Sequence, residues 1–306
     1  MSERPARPLG LLAMAGAVLC FSISSTLVKK AGLPGPTLAF WRMVIASGVW
    51  WVILWATEHR TITLAELRRA AVPGAAFGLN ITAFFTGVSR TAVANAEFIG
   101  ALTPLLVVPA GALLFKERVN LRALSFGLVS LVGLVLVLFN APPRGSATWA
   151  GNLIVGLAMV LWVVYLLTSR GLRTTMSVQA IMAAAMPIAA IAIFPIVAIR
   201  GELDDASGHQ WWYIVALAVL TGTVAHGFIV FAQRTVPVGT IGIIQVAQPA
   251  LAVGWAYLLL DQELRPIQVL GMVLVLAGLL TVVLVSRRTN AADPVAAAVA
   301  AAESDR

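Results

Sequence analysis

Ionisable groups are scarce inside the apolar stretches of this sequence, and the few present set the chemistry open to it. Glu97, in the run Asn95-Ala96-Glu97, is a carboxyl within an otherwise apolar segment. Charged groups in hydrocarbon are costly and mark functional candidates by default. Two roles fit it. In a dehydrated cavity it could take up and release a proton; near an interface it would be solvated, or paired with Arg42 or Arg90. His226 is the one histidine in an apolar run, able to bind a solute, relay protons or hydrogen-bond between helices. Asn80 suits either a polar cavity wall or interhelical hydrogen bonding. Gln245 and Gln248 precede Pro249; two amides without partners in hydrocarbon would be expensive, so the bundle interior is their expected environment.

Other residues complete the candidate set. Arg42 follows Trp41: it either snorkels to the headgroups beside an interfacial tryptophan, with a structural or gating role, or faces a cavity and holds a solute carboxylate. Trp162 and Tyr165 share a helix face by their i, i+3 spacing and could line a cavity together with Phe84 and Phe85. Pro104 and Pro249 each deny a helix one backbone hydrogen bond. Pro104 stands seven residues after Glu97, on the same face of a continuous helix. Glu117 and Glu263 read as interfacial structural residues, and Cys20 as a packing residue. Catalytic and metal-binding signatures are missing: there is no HExxH, GxSxG, phosphate loop or CxxC. The expectation is a non-enzyme with no cofactor and no metal.

The elements that must position these groups follow from composition. Of 306 residues 60% are hydrophobic and 11% charged, against about a quarter charged in a soluble domain. Such a surface must face lipid. The net charge of +8 does not point to nucleic acid, because the basic residues sit in short breaks between apolar runs. A bilayer core of about 30 Å takes about 20 apolar residues in a helix. Ten segments approach that length: 9–29, 36–56, 70–89, 92–115, 122–139, 148–168, 178–199, 210–231, 239–260 and 267–285. Cytoplasmic loops hold an excess of Lys and Arg. With the N-terminus inside, Lys29, Lys30, Arg90, Arg144, Arg200 and Arg265 fall outside, Arg42 lies within a helix, and all the others fall inside. Both termini are therefore expected in the cytoplasm, with 1–8 and 287–306 as tails and the protein multi-pass in the cytoplasmic (inner) membrane.

The chain also repeats itself. Residues 78–91 align without gaps on 222–235, placing Thr82 opposite His226 and Arg90-Thr91 opposite Arg234-Thr235. With one inserted residue Pro104 meets Pro249, and with a further one Glu117 meets Glu263. The implied halves are 9–139 and 148–286, joined by a linker over 140–147. Five spans per half is an odd number, so the second half enters the membrane inverted, an architecture that recurs in secondary transporters and suits alternating access. The expected fold is an all-α membrane protein of two inverted five-helix repeats.

These motifs resemble those of a known family. Residues 16–30, the Trp41-Arg42 that opens the second segment, Leu102-Thr103-Pro104 leading to Glu117, and Gln248-Pro249 leading to Glu263 are similar to the signatures of the drug/metabolite transporter superfamily, in its EamA branch of ten-helix proteins. The resemblance covers residues 9–286, with one extra residue between Pro249 and Glu263. It implies a carrier of small metabolites, foremost an exporter of amino acids or related compounds, with protons as a candidate coupling ion. Import, multidrug efflux and lipid flipping are the alternatives. The implied partners are a small-molecule substrate and the bilayer, and the protein would act as a monomer or homodimer.

Overall fold

Proline and glycine set most of the helix boundaries. In a computed structural model, which describes residues 8–115, 121–140, 148–233 and 244–292, the described elements are helical, with no strand among them. α1 (Pro8–Ser22) and α2 (Ser24–Ala31) are nearly continuous, broken at Ile23. α2 stops at Gly32, whose φ of 62° is a left-handed conformation that glycine adopts at little cost. α3 (Gly35–Glu58) starts with Pro36 in its first turn, where a missing N–H costs nothing. The short α4 (Leu64–Arg69) is nucleated by a capping box between Thr63 and Glu66. Burial pushes the Glu66 carboxyl up, but hydrogen bonds from Thr63 and Arg60 outweigh it and hold the group below the usual carboxylate range.

α5 (Ala71–Arg90) is followed by α6 (Val93–Ala101) and α7 (Thr103–Phe115), and then by α8 (Leu121–Phe139). The second half comprises α9 (Trp149–Arg170), α10 (Val178–Arg200), α11 (Gln210–Ala216), a π-helical segment Leu217–Val224, α12 (Ala225–Gln233), α13 (Gln248–Leu260) and α14 (Pro266–Ala292). Among the described residues six helices are long and apolar enough to cross a bilayer: 8–31, 35–58, 71–90, 149–169, 178–200 and 210–229. Four shorter apolar helices, at 93–107, 125–139, 248–260 and 266–281, fall where the remaining spans are expected.

Lipid replaces water as the solvent of this surface. Leu12, Val52, Trp55, Leu153, Ile191, Ile199 and Leu258 are all exposed, as they should be where apolar side chains meet acyl chains. The interior instead favours small residues, because backbones gain dispersion energy by close approach when no hydrophobic effect separates helix from lipid. α10 buries Ala183, Ala184, Ala185, Ala189 and Ala190. Against it α5 places Gly74 and Gly78; a Cβ at Gly78 would lie 2.7 Å from the Ala189 carbonyl oxygen.

Helix directions follow from the pairs in contact. Ser130 of α8 donates to the Val275 carbonyl of α14, and Gln268 to that of Val137, so these helices run antiparallel. α3 and α10 are antiparallel as well, joined by Ser177 to Glu58 at one end and Thr37 to the Glu202 carbonyl at the other. α5 pairs with α9, α1 with α12, and α6 with α13. Exchanging the two halves maps this pattern onto itself: α3–α10, α6–α13 and α8–α14 are unchanged, while α5–α9 and α1–α12 trade places.

One proline inside a helix is matched by a partner. Pro187 cannot donate to the Ala183 carbonyl one turn earlier, and the Trp51 indole N–H of α3 takes that acceptor at 2.8 Å. The adjacent Trp50 donates to the Gly222 carbonyl of the π-helical segment at 2.9 Å.

Candidate functional site

Helix breaks cluster where the polar residues are buried. α6 ends at Leu102, whose N–H turns back to the Ile99 carbonyl, and α7 begins with Pro104 as its second residue. In the other half a turn at 246–247 precedes α13, which has Pro249 as its second residue. The continuous helix expected over 92–115 is therefore two helices, and the i, i+7 face proposed to join Glu97 to Pro104 does not exist as such. Pro104 favours a helix start over a helix interior; its side chain lies outside the described residues.

Glu97 is buried at 6% exposure. It accepts a hydrogen bond from Ser25 of α2 and one from the Gln248 amide of α13. Neither expected cation partner is present: among the described residues no ion pair joins Glu97 to Arg42 or Arg90. The carboxyl thus sits between the halves, held by neutral groups from each. Gln248 is half-buried here, whereas Gln245 is exposed and stands before the turn at 246–247. The two amides thus have different environments, although one face of a single helix was expected for both.

Arg42 sits on the opposite side of the expectation that it snorkels. It is 3% exposed, its Nε donates to the Leu217 carbonyl at 3.4 Å, and its guanidinium lies 5.5 Å from the centre of the Phe85 ring. Trp41 points elsewhere, donating to the Leu203 carbonyl at 3.1 Å. His226, half-buried, places Nδ1 2.9 Å from the Thr221 carbonyl oxygen and meets the Phe21 ring edge-on. Carbonyls of the π-helical segment therefore serve Arg42, Trp50 and His226 together. π-bulges are frequent at functional sites because they leave the regular carbonyl pairing.

The expected aromatic wall divides in two. Trp162 and Tyr165 stack with each other at 5.0 Å and with Phe77, while Phe85 packs under Arg42 with Phe84 beside it. Asn80, 7% exposed, donates to the Ala158 carbonyl at 2.7 Å and bridges α5 to α9. An Asn80→Leu variant is expected to lose about 1 kcal/mol of stability in a detergent melt, with transport within about two-fold of wild type. A large transport loss at unchanged stability would instead mark the amide as a solute contact.

Several residues were missed at the sequence level. Ser25 holds Glu97, and Asn95, Thr91 and Asn152 form a buried network, with Thr91 donating to Asn152 at 2.5 Å. The polar run Ser22-Ile23-Ser24-Ser25-Thr26 in the first apolar segment was the available signal. Buried polar atoms without a partner among the described residues include Thr26 Oγ1, Arg42 Nη1 and Asn95 Oδ1. A cavity of about 250 Å³ lies elsewhere, between the N-terminus of α3 and the C-terminal ends of α5 and α10, lined among others by Thr86, Arg90 and Arg200. Pro249 is buried and Glu263 exposed. Glu117 and Arg234 fall outside the described residues.

Comparison with known proteins gives this arrangement its context. An uncharacterized transporter of Helicobacter pylori (strain J99 / ATCC 700824) is 25% identical over 278 residues, which cover 86% of this chain and 90% of that protein. A solved structure, described only as the crystal structure of a protein, superposes with a TM-score of 0.65 at 21% identity, over 93% of this chain and 99% of the other; it establishes the fold alone. The model of the EamA-like transporter family matches residues 8–139 and again 149–284, so nearly the whole helical region is accounted for, and the chain belongs to the EamA-like transporter family.

Proposed function

We propose that this transporter exports amino acids or related small metabolites across the cytoplasmic membrane by alternating access, with Glu97 exchanging a proton during the cycle. The observation that carries this reading is the placement of Glu97: one carboxyl, buried, held by Ser25 from the first half and Gln248 from the second. A shift of one half against the other must change at least one of these hydrogen bonds. Carboxyl protonation then depends on conformation, which is the requirement for coupling.

The four shorter apolar helices complete ten crossings in two inverted repeats, with both termini cytoplasmic. Support comes from the helix pairing that survives exchange of the halves, and from breaks ahead of the aligned Pro104 and Pro249. Interrupted helices in corresponding positions of two halves point to a transport site. On this topology the acidic loop 201–209 is extracellular. Outer closure then rests on Thr37 to the Glu202 carbonyl, Trp41 to the Leu203 carbonyl, Gln210 to the Ala31 carbonyl and Val93 to Gln262. All four join the halves, and they part when the cavity opens outward.

The test is transport in proteoliposomes with amino acids, nucleosides and cationic drugs, under pH gradients of both signs. Amino-acid movement against an inward proton gradient is the expected result. Uphill uptake with the protons would make the protein an importer, and movement of the drugs alone a multidrug efflux carrier.

A further inference from the structure

Arg42 presents a problem of charge that its surroundings leave unsolved. The side chain is 3% exposed and lies eight residues into a membrane-crossing helix. Among the described residues no carboxylate lies within 4.0 Å of it. Its neighbours include the Leu217 carbonyl, which accepts one long hydrogen bond from Nε, the Phe85 ring, and the His226 imidazole, which is close enough to interact with the charge, while Nη1 has no partner among the described residues. A buried guanidinium left unpaired in a low-dielectric interior is strongly unfavourable, and a cation–π contact offsets only part of that cost.

From this geometry we propose that Arg42 is an anion receptor: the transported solute carries a carboxylate, which docks on the Nη1 side of the guanidinium. The inference deepens the reading of this protein as a metabolite carrier and rests on it. The pieces of such a receptor are in place. Phe85 covers one face of the planar group, and the Leu217 carbonyl fixes Nε. Nη1 is therefore left without a partner, and an in-plane, charge-assisted pair of the kind lysine cannot offer would satisfy it. Leu217 opens the π-helical segment and Gly222 lies within it; even a Cβ at Gly222 would stand 3.9 Å from Arg42 Nε and 3.5 Å from Ala46. The segment thus presents backbone, not bulk, beside the cation. Because α3 belongs to the first half and the π-helical segment to the second, an anion bound here bridges both and biases their arrangement directly.

Two measurements test this. In the first, purified protein is melted with acetate, benzoate, phosphate or chloride, comparing wild type with R42K and R42Q. Carboxylates should raise the wild-type melting temperature, R42K should respond weakly and R42Q not at all. Protection by phosphate or chloride alone would reveal a structural counter-ion site and overturn the proposal, as would protection that survives in R42Q. In the second, proteoliposome counterflow compares phenylalanine with phenylalaninamide, which keeps the ring and amine but lacks the carboxylate. Wild type should prefer the acid at least about 10-fold, one bidentate charged contact at a buried site being worth that much, and R42Q should abolish the preference. An amide carried as well as the acid defeats the Arg42 assignment while the carrier reading stands. If neither compound moves but carboxylates still protect through Arg42, the anion site stands and the amino-acid reading falls.

Discussion

A Glu97→Gln variant is expected to lose proton-driven accumulation of solute while keeping solute exchange. Glutamine has the shape of glutamic acid, and its carbonyl oxygen can still accept the hydrogen bond from Ser25, so the fold should tolerate it. What it cannot do is release a proton. Accumulation driven by a pH gradient should fall at least about 10-fold, because on the proposed mechanism the variant keeps the transport path but removes the carboxyl that exchanges the proton. Counterflow, which needs no net proton movement, should stay within about three-fold of wild type. The pH dependence of the wild-type rate should flatten in the variant. Full gradient-driven accumulation by Glu97→Gln would end the coupling role. Loss of counterflow together with accumulation would mark Glu97 as a solute ligand or structural group instead. Ser25→Ala provides a graded comparison, since it removes one neutral partner and leaves the carboxyl in place.

Gly271→Leu should strongly destabilise the α8–α14 contact. A Cβ at Gly271 would lie 2.6 Å from the Gly133 carbonyl oxygen, and one at Gly133 would lie 2.6 Å from that of Gly271. Both obstacles are backbone, so no rotamer change relieves them, and the helices must separate. Separation would stretch the hydrogen bonds from Ser130 to Val275 and from Gln268 to Val137. Overpacking of this kind typically costs roughly 1–3 kcal/mol. A clear drop in melting temperature, or loss of monodisperse protein, is the expected result. Gly254 provides the control, because nothing lies within 4 Å of where its Cβ would stand. Gly254→Ala should therefore be neutral or slightly stabilising through helix propensity, worth at most about 1 kcal/mol. Equal damage from the two variants would show that the glycine contact is not what holds α8 to α14.

Hydropathy was enough to locate the six long apolar helices. The expected segments 36–56, 70–89 and 178–199 correspond to Gly35–Glu58, Ala71–Arg90 and Val178–Arg200. Helix formation in lipid depends on local composition and on satisfying the backbone within one segment, and both are written along the chain. The repeat of Pro104 and Pro249 was legible too, but both were read within continuous helices, and the structure breaks the chain just ahead of each. Glu97 stood out as well: a lone carboxyl in an apolar run is conspicuous without any knowledge of its neighbours.

Orientation about each helix axis was a different matter, because these helices are apolar on every side and carry no stripe that says which face turns inward. Arg42 was left open between the headgroups and a cavity, and is buried against Phe85 and Leu217. Gln245 and Gln248 were placed on one face and are parted by a turn. Phe84 and Phe85 were grouped with Trp162 and Tyr165 and pack apart from them. The π-helical segment left no signature in composition, since its carbonyls find partners in Arg42 and Trp50, more than 170 residues away. Sequence by itself determined which long stretches are apolar enough to enter the bilayer and which chemical groups go with them. Only the tertiary structure decided which of those groups meet, because in a uniformly apolar medium rotation and pairing are set by close packing and buried hydrogen bonds between distant helices.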